Sequence, residues 1–437
     1  MSSFLKRWRS QTSASSSEEA SARITVLDLE LSEPLPPFRE MLATGAVARR
    51  AWLVVRLCGE PLGIERVDQA ELSDPAVLTE VLRSNWSADA RARGTSLDGD
   101  PADSLATSRT AFLDDHRRYL DVASPVSVVV PTHRRPDDMR RCLESLAEQD
   151  HPRFKVWVVD NAPQSELTRT IVASFADRLA VQYLVEPIAG ASRARNLALD
   201  QDLDDLVAWI DDDEVADPLW LSELTRGLES RPGIDVVSGV VVPAELETQA
   251  QLWFEELGGH SAERGFRADE FSPATRDRFN PLFPMPAFGV GGNCVARTES
   301  MRRVGGFDEA LGPGTRSRGG EDMVLFIEIL RRGGTALYRP SALTRHYHRR
   351  GIDDLAAQVH GYGIGLTALY TSLIVNDPRV VPELVRLLAP GIRHMLSSSN
   401  DAGLSREPDL PAALRTAKMR GMLSGPSAYL RERLRRH

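Results

Sequence analysis

From Val126 onward, apolar runs alternate with polar spans in the rhythm of strands and helices. The runs are Val126 to Val130, Val156 to Val159, Val181 to Val185 and Leu206 to Ile210, and their ends fall about 25 to 29 residues apart. The span after the first run reads as a helix. Pro136 stands at its start, Asp137 and Asp138 lie in the first turn, and Met139, Cys142, Leu143 and Leu146 fall at i, i+3, i+4 and i+7. Strands alternating with helices of this length imply right-handed crossovers and a largely parallel sheet. Such sheets bind their ligands beyond the carboxyl ends of the strands, so candidate chemistry is sought there.

The flanks pattern differently. Ile24 to Leu31 alternates like a half-buried strand, Ala51 to Leu57 is an apolar strand closed by Gly59 and Pro61, and Asp74 with Pro75 forms a helix start before Leu78, Val81 and Leu82. The expected organisation is a disordered segment 1–22, a small α/β accessory domain 23–97 and a linker 98–124 with a helix near Phe112 to Leu120. The main α/β domain at 125–350 and a helical C-terminal extension at 351–437 complete it. Residues 1–22 have basic positions and a Ser-rich stretch but no apolar core of a signal peptide, so a cytoplasmic location is expected. The apolar run Tyr362 to Val375 has about 14 residues, against roughly 20 needed to cross a bilayer. The basic end of the chain (Arg415, Lys418, Arg420, Arg431, Arg433, Arg435, Arg436) leaves peripheral contact with the inner face of the membrane open.

Composition narrows the classes. With 437 residues, 42% hydrophobic and 26% charged, the chain has material for sizeable cores. A net charge of -9, from 62 acidic and 53 basic residues, argues against sequence-independent nucleic-acid binding, which needs a basic surface. The three cysteines, Cys58, Cys142 and Cys294, have no metal-ligand spacing and are expected as free thiols.

The strand ends carry the polar groups. The first run is followed by Pro131-Thr132-His133-Arg134, the second by Asp160-Asn161, and the fourth by Asp211-Asp212-Asp213-Glu214. Four consecutive acids repel one another unless a cation or several donors compensate. If the segment is extended, Asp211 and Asp213 point to one side and suit one divalent ion, Mg2+ or Mn2+; a solvated acidic turn is the alternative. Gly190-Ala191-Ser192-Arg193-Ala194-Arg195-Asn196 opens a helix whose N–H and guanidinium groups suit a diphosphate. No G-x-G-x-x-G turn follows the first strand, which disfavours a nicotinamide dehydrogenase. Further on, Phe288-Gly289-Val290-Gly291-Gly292-Asn293 precedes an apolar strand, and a Gly- and Arg-rich loop from Gly312 to Gly320 leads to Glu321-Asp322 at a helix start. An acid placed there suits a general base. His346-Tyr347-His348 follows the strand Ala336 to Tyr338; two histidines two apart suggest a metal pair, but no third ligand is near in sequence.

In order, Val128-Val129-Val130-Pro131-Thr132, Val158-Val159-Asp160-Asn161, Glu186-Pro187 to Ala194-Arg195-Asn196, Ile210-Asp211-Asp212-Asp213, Gly305-Gly306-Phe307-Asp308 and Gly320-Glu321-Asp322 resemble the family 2 glycosyltransferases of the GT-A fold. The resemblance covers roughly Pro125 to Arg350 and continues weakly through Tyr362-Gly363-Ile364-Gly365. It implies a Rossmann-like, mainly parallel sheet flanked by helices, and an inverting, hexosyltransferase-like enzyme. The donor would be a nucleotide-diphosphate sugar, usually UDP-linked, with a divalent metal. The acceptor would be a carbohydrate, a lipid-linked molecule or a small molecule.

Carried over by position, the resemblance implies that Pro131, Thr132, Arg134 and Asp160 hold the nucleoside, with Arg195 and Asn196 near the diphosphate and sugar. Asp211 and Asp213 match the D-x-D motif, with Asp213 the direct metal ligand. Asp322 matches the base that takes the acceptor proton, Glu321 positions the acceptor, and His346 matches a histidine that some relatives place on the metal or diphosphate. Two other classes compete. A nucleotidyltransferase would carry a glycine-rich basic loop after the first strand, where His133-Arg134-Arg135 has no glycine, and a catalytically silent sugar-nucleotide sensor would not need both Asp213 and Asp322. Aromatic residues between Glu245 and Pro286 (Trp253, Phe254, Phe266, Phe271, Phe283) are expected in a loop on the acceptor side, as ring-stacking or core residues.

Overall fold

The computed structural model describes residues 23–93, 97, 101–260, 264–282, 288–397 and 412–435; the segment 1–22, Phe283 and Arg436 lie outside the described residues. Near the N-terminus, β1 (Thr25–Glu30), β2 (Arg50–Leu57) and β3 (Glu60–Asp68) form a small sheet, β1 parallel and β3 antiparallel to β2. Strand β2 ends at Leu57 as expected; Cys58 (φ 54°) and Gly59 (φ 83°) then make a tight turn into β3, which the sequence pattern did not show because Glu60, Glu65, Arg66 and Asp68 hide its alternation. Helix Pro75–Ala92 starts where expected, with Asp74 accepting from Ala76 N at 2.9 Å and proline in its first turn.

Most of the expected linker is one helix, Pro101–Val122. Its polar sequence gives little period, and tertiary contacts fix it. His116 Nε2 lies 2.5 Å from Asp150 Oδ2, and Tyr119 Oη lies 2.8 Å from Thr225 Oγ1 and 2.7 Å from Glu229 Oε2.

Among the described residues the main sheet has nine strands. The four expected ones are β4 (Val126–Thr132), β5 (Phe154–Asn161), β6 (Val181–Glu186) and β7 (Leu206–Ile210), mutually parallel in the order β7-β4-β5-β6. The others are β8 (Glu214–Ala216), β9 (Val236–Pro243), β10 (Asp269–Phe271), β11 (Asn293–Arg297) and β12 (Ala336–His346). They extend the sheet beyond β7 in the order β11-β9-β12-β10, with β8 also on β12. Strand β11 runs antiparallel to both neighbours, while β9 and β12 are parallel.

The two-residue period of the strands divides the core between the faces of this sheet. Val126, Val128 and Val130 pack under helices Pro136–Leu146 and Trp220–Glu229. Val129, Val159 and Trp209 pack on the opposite face under helices Ala191–Leu199 and Glu321–Arg331. The aromatic span 245–286 is not one loop. It holds helix Gln249–Glu256, started by the Thr248–Gln251 capping box, and β10; Phe254 and Phe271 are buried in it. Phe271 meets Phe279 and Phe288 edge-on, with centroids 5.1 and 5.6 Å apart. Both rings therefore serve packing.

Helices Ile352–Asn376, Val381–Ser397 and Ala412–Leu434 form the C-terminal region. It is tied to the main domain at Asp308, whose Oδ2 accepts from Ser372 Oγ at 2.5 Å and Tyr429 Oη at 2.9 Å. Among the described residues no helix is long and apolar enough to cross a membrane. Cys142 and Cys294 are buried and Cys58 is half-buried, all free thiols.

One buried amide joins three strands and a helix. Asn293 Oδ1 accepts from Trp220 Nε1 at 2.9 Å, and its Nδ2 faces Val240 O, Ala342 O and Thr344 Oγ1 at 2.9, 3.1 and 3.1 Å. Leaving such groups unpaired costs about 1–3 kcal/mol each. Asn293→Leu is expected to lower unfolding stability by about 3 kcal/mol or more, read from urea midpoints at constant slope.

Candidate active site

The acid run at the end of β7 is not extended. Glu214 N donates to Asp211 O at 3.1 Å, so Asp212 and Asp213 sit in a turn that reverses the chain and sets β8 against β12. The same-side arrangement expected for Asp211 and Asp213 gives way to separate partners for each acid. Asp211 Oδ1 accepts from Arg195 Nη2 at 2.8 Å. Asp212 accepts from Thr132 Oγ1 at 2.7 Å and Arg135 Nη1 at 3.0 Å. Asp213 faces Arg135 Nη1 at 2.5 Å, His346 Nε2 at 3.5 Å and Arg349 Nη2 at 3.8 Å. Buried Glu214 leaves Oε2 without a hydrogen-bond partner among the described residues.

The surroundings drive these carboxyls apart. Burial, reinforced by Asp213, pushes Asp212 up to about 7. Burial and Asp211 raise Glu214 well above the usual range. Burial would raise Asp213 too, but His346, Arg135 and Arg349 outweigh it and hold that carboxyl well below the usual range. A crowded acid cluster with an unpartnered buried oxygen suits a hard divalent cation. His346 Nε2 lies 3.5 Å from Asp213 Oδ1, whereas the ligand atoms of Asp211, Asp213 and His346 are not gathered closely enough to share one ion among the described residues.

The downstream acids join the same cluster of side chains. Arg195, on helix Ala191–Leu199, is buried and donates to Glu321 Oε1 at 2.7 Å as well as to Asp211. Burial opposes its charge, yet Asp211, Glu321 and Asp322 raise its pKa above that of an ordinary arginine. Burial and Asp322 push Glu321 up to about 7. Asp322 Oδ2 accepts from Gly291 N at 2.9 Å, and its Oδ1 accepts from Met323 N at 2.8 Å. A Cβ on Gly291 would strike Asp322 Cβ, and one on Gly292 would lie 2.7 Å from Asp211 Oδ2 and 2.8 Å from Glu214 Oε1. Two bare backbone positions thus form a shared wall, with Asp322 against one and Asp211 against the next.

The ends of β4 and β5 frame a cleft of about 210 Å³ lined by Arg134, Asp160, Pro163, Gln164, Leu167 and Thr168. Asp160 Oδ2 accepts from Tyr183 Oη at 2.7 Å. Pro131 lies in the β4–β5 register opposite Val159. Arg134 takes a left-handed turn (φ 59°), and it is the next residue, Arg135, that reaches the acids. Arg134, read from sequence as a nucleoside residue, lines the cleft with Asp160, whereas the sequence pattern gave Arg135 no role. Thr132 spends its hydroxyl on Asp212. Asn196 pairs twice with the Phe307 backbone, both bonds 2.9 Å, and so braces the Gly-Gly-Phe-Asp turn. Asn161 takes Gly190 N on Oδ1 and gives Nδ2 to Ile188 O, each at 2.8 Å, fixing the loop before the Arg195 helix.

The histidines gain a companion that spacing could not reveal. β12 continues to His346, past the end read from sequence at Tyr338, because it pairs with both β9 and β8. One ring nitrogen from each of His260, His346 and His348 lies within 4.8 Å of the other two. His346 Nδ1 and His348 Nδ1 are 2.7 Å apart, and His348 Nε2 lies 2.7 Å from Glu255 Oε1. His260 precedes them by more than eighty residues and lies in no motif.

Residues 127–305 match the model of glycosyl transferase family 2. The pre-mycofactocin glycosyltransferase of Mycobacterium tuberculosis is 26% identical over 309 residues, 70% of this chain and 59% of that protein. The chain thus spans about 59% of the length of that curated relative. A glucosyl-dolichyl phosphate glucuronosyltransferase of Haloferax volcanii is 28% identical over 193 residues, 43% of this chain and 57% of that protein. Among solved structures, a mannosyltransferase from Pyrobaculum calidifontis in complex with GDP-Man and Mn2+ has 19% identity and a TM-score of 0.43, covering 82% of this chain and 98% of that one.

Arg195 is the cation on which Glu321 depends. Arg195→Met is expected to cost about 3–5 kcal/mol, the cost of stranding a buried charge. Adding Glu321→Gln should recover part of that loss in chemical denaturation, and an additive double variant would contradict the pairing.

Proposed function

We propose that this chain, whose residues 127–305 match the model of glycosyl transferase family 2, moves a sugar from a nucleotide-diphosphate sugar, UDP-linked, to an acceptor hydroxyl with inversion at the anomeric carbon. The observation that carries this reading is the Gly291–Gly292 wall, with Asp322 on one position, Asp211 on the next and Arg195 bridging Asp211 to Glu321.

In this reading the base and ribose lie in the cleft at Arg134 and Asp160. Tyr183 orients the Asp160 carboxylate and leaves its other oxygen for a base N–H. Asp213 with His346 would hold Mg2+ or Mn2+, which when bound neutralises charge on the departing diphosphate. Arg195 places a buried positive charge beside Asp211.

Asp322 acts on the acceptor. Its carboxylate, fixed by the N–H groups of Gly291 and Met323, takes the hydroxyl proton as the acceptor oxygen bonds to the anomeric carbon. The bond from that carbon to the diphosphate oxygen breaks on the opposite side, its electron pair leaving with the nucleoside diphosphate. Glu321, buried and tied to Arg195, positions Asp322 through the first turn of their helix.

Asp322→Asn is expected to lower the turnover number by at least about 100-fold while the affinity for the donor, read by calorimetry, stays near wild type. Turnover equal to wild type removes Asp322 as the base. In wild type, a chelator is expected to weaken binding of UDP-sugar; in Asp213→Ala, donor binding should be weak and insensitive to chelator. Identical affinities in all four titrations would contradict the metal site.

A further inference from the structure

Helix Ala412–Leu434 is apolar on two opposite sides. Its inner side is locked onto helix Ile352–Asn376. A Cβ on Gly421 would stand 2.2 Å from His360 O, and one on Gly425 2.0 Å from Thr367 Oγ1, so bare backbone lets the two helices touch and fixes the rotation of the outer one. Leu414 and Tyr429 are buried on that same side. The outer side carries Met419, Leu423, Leu430 and Leu434, which are 54%, 86%, 45% and 74% exposed. At about 3.6 residues per turn these four form one stripe, turned away from the glycines and running for about 22 Å.

Basic residues border the stripe. By the same period Arg415 and Arg433 fall along one edge of it and Arg420 and Arg431 along the other, and Lys418 and Arg435 bring the basic positions of 412–435 to six. The one acid in that span, Glu432, is buried and accepts from Arg316 N at 3.3 Å. The chain as a whole carries a net charge of -9, so this helix reverses the sign of the rest. A second copy seated on the stripe would set six cations against six. A surface that is negative outside and apolar beneath matches both the stripe and its edges.

We propose that helix Ala412–Leu434 docks on the surface of an anionic lipid bilayer, its four apolar side chains sunk below the headgroups and its arginines against the lipid phosphates. The helix lies on the bilayer, since among the described residues none is long and apolar enough to cross one. Binding of this kind grows with the apolar area sunk into the interface and with the attraction to anionic lipid. The fold gives the docking face a place relative to the acids. Helix Ile352–Asn376, on which the docking helix is seated, packs its other side on the loop before Glu321 and Asp322, where a Cβ on Gly320 would lie 2.9 Å from Gly365 O. A docked chain therefore holds that loop one helix layer, about 10 Å, behind the lipid-facing helix. The inference does not rest on the sugar-transfer reading, and its test uses no activity.

The full chain is sedimented with vesicles of phosphatidylcholine alone or mixed with equal parts of phosphatidylglycerol. It is expected to bind the mixed vesicles, to leave the neutral ones in solution, and to be released as salt screens the attraction. Leu423→Ser combined with Leu430→Ser should weaken binding by at least about tenfold with an unchanged urea midpoint, because both side chains are exposed. Arg415→Gln combined with Arg431→Gln should weaken it as well, and it decides the question if the serine variant folds poorly. Leu167→Ser, at an equally exposed leucine on helix Leu167–Ala173, should bind like wild type. No binding to the mixed vesicles, equal binding to the neutral ones, binding that survives both double variants, or the same loss in Leu167→Ser overturns the proposal. So does a lipid-free dimer, seen by analytical ultracentrifugation, that the double serine variant dissolves, since the stripe then belongs to a second copy.

Discussion

The arrangement of the cleft depends on one buried guanidinium shared between two carboxylates from distant parts of the chain. Arg195 faces Asp211 from the end of β7 and Glu321 from the head of a helix, 16 and 126 residues away. A planar fork with several donors can serve both acids at once, where an ammonium would act as a point charge. The helix that carries Arg195 is fixed for this purpose. Asn161 holds the loop before it, Ser192 Oγ donates to Leu311 O at 3.0 Å, and Asn196 locks the Phe307 turn. The Ser192 and Asn196 bonds join the parallel half of the sheet to the segment that leads to Asp322, so separate pieces of chain meet around Arg195.

Around that guanidinium the acids divide into unlike states. Asp213, faced by His346, Arg135 and Arg349, is favoured as a charged group, whereas Asp212 is driven toward protonation by burial and Asp213, and Glu214 by burial and Asp211. Neighbouring acids in sequence thus come to unlike charge states. This asymmetry follows from the turn at Asp212 and Asp213 and from the arginines that meet it; a flat, solvated acidic loop would leave the four equivalent. The accessory unit reaches the same region. Arg56 bonds Asp28 and Asp217 at 3.0 and 2.5 Å, and Arg345, next to His346, bonds Asp28 at 2.6 Å. The small sheet therefore buttresses the strand end that carries the acids.

Much of this was legible in the sequence because the signals are local. The four parallel strands and the helix at Pro136 follow from apolar period, and the acids and Arg195 follow from their place at strand and helix ends. What was hidden depends on tertiary position. Arg135 rather than Arg134 reaches the acids because Arg134 takes the left-handed turn. Strand β8 is three residues long, too short for a period, and it bends the acid run away from an extended form. Helix Pro101–Val122 has a polar sequence and is fixed by contacts with remote residues. His260 and Glu255 join the histidines from an aromatic stretch with no ligand spacing, and Asn293 joins strands that ordinary strand propensity would not place together.

The central claim is that the acid run and Asp322 face one reaction space. Diffraction from crystals grown with Mn2+ and UDP, recorded at the manganese edge, tests it most directly. The account predicts an anomalous peak in contact with Asp213 and His346, with the nucleotide diphosphate beside it and the Asp322 carboxylate opening onto the same cleft. Manganese bound away from Asp213, or a nucleotide seated where Asp322 cannot face it, would contradict it.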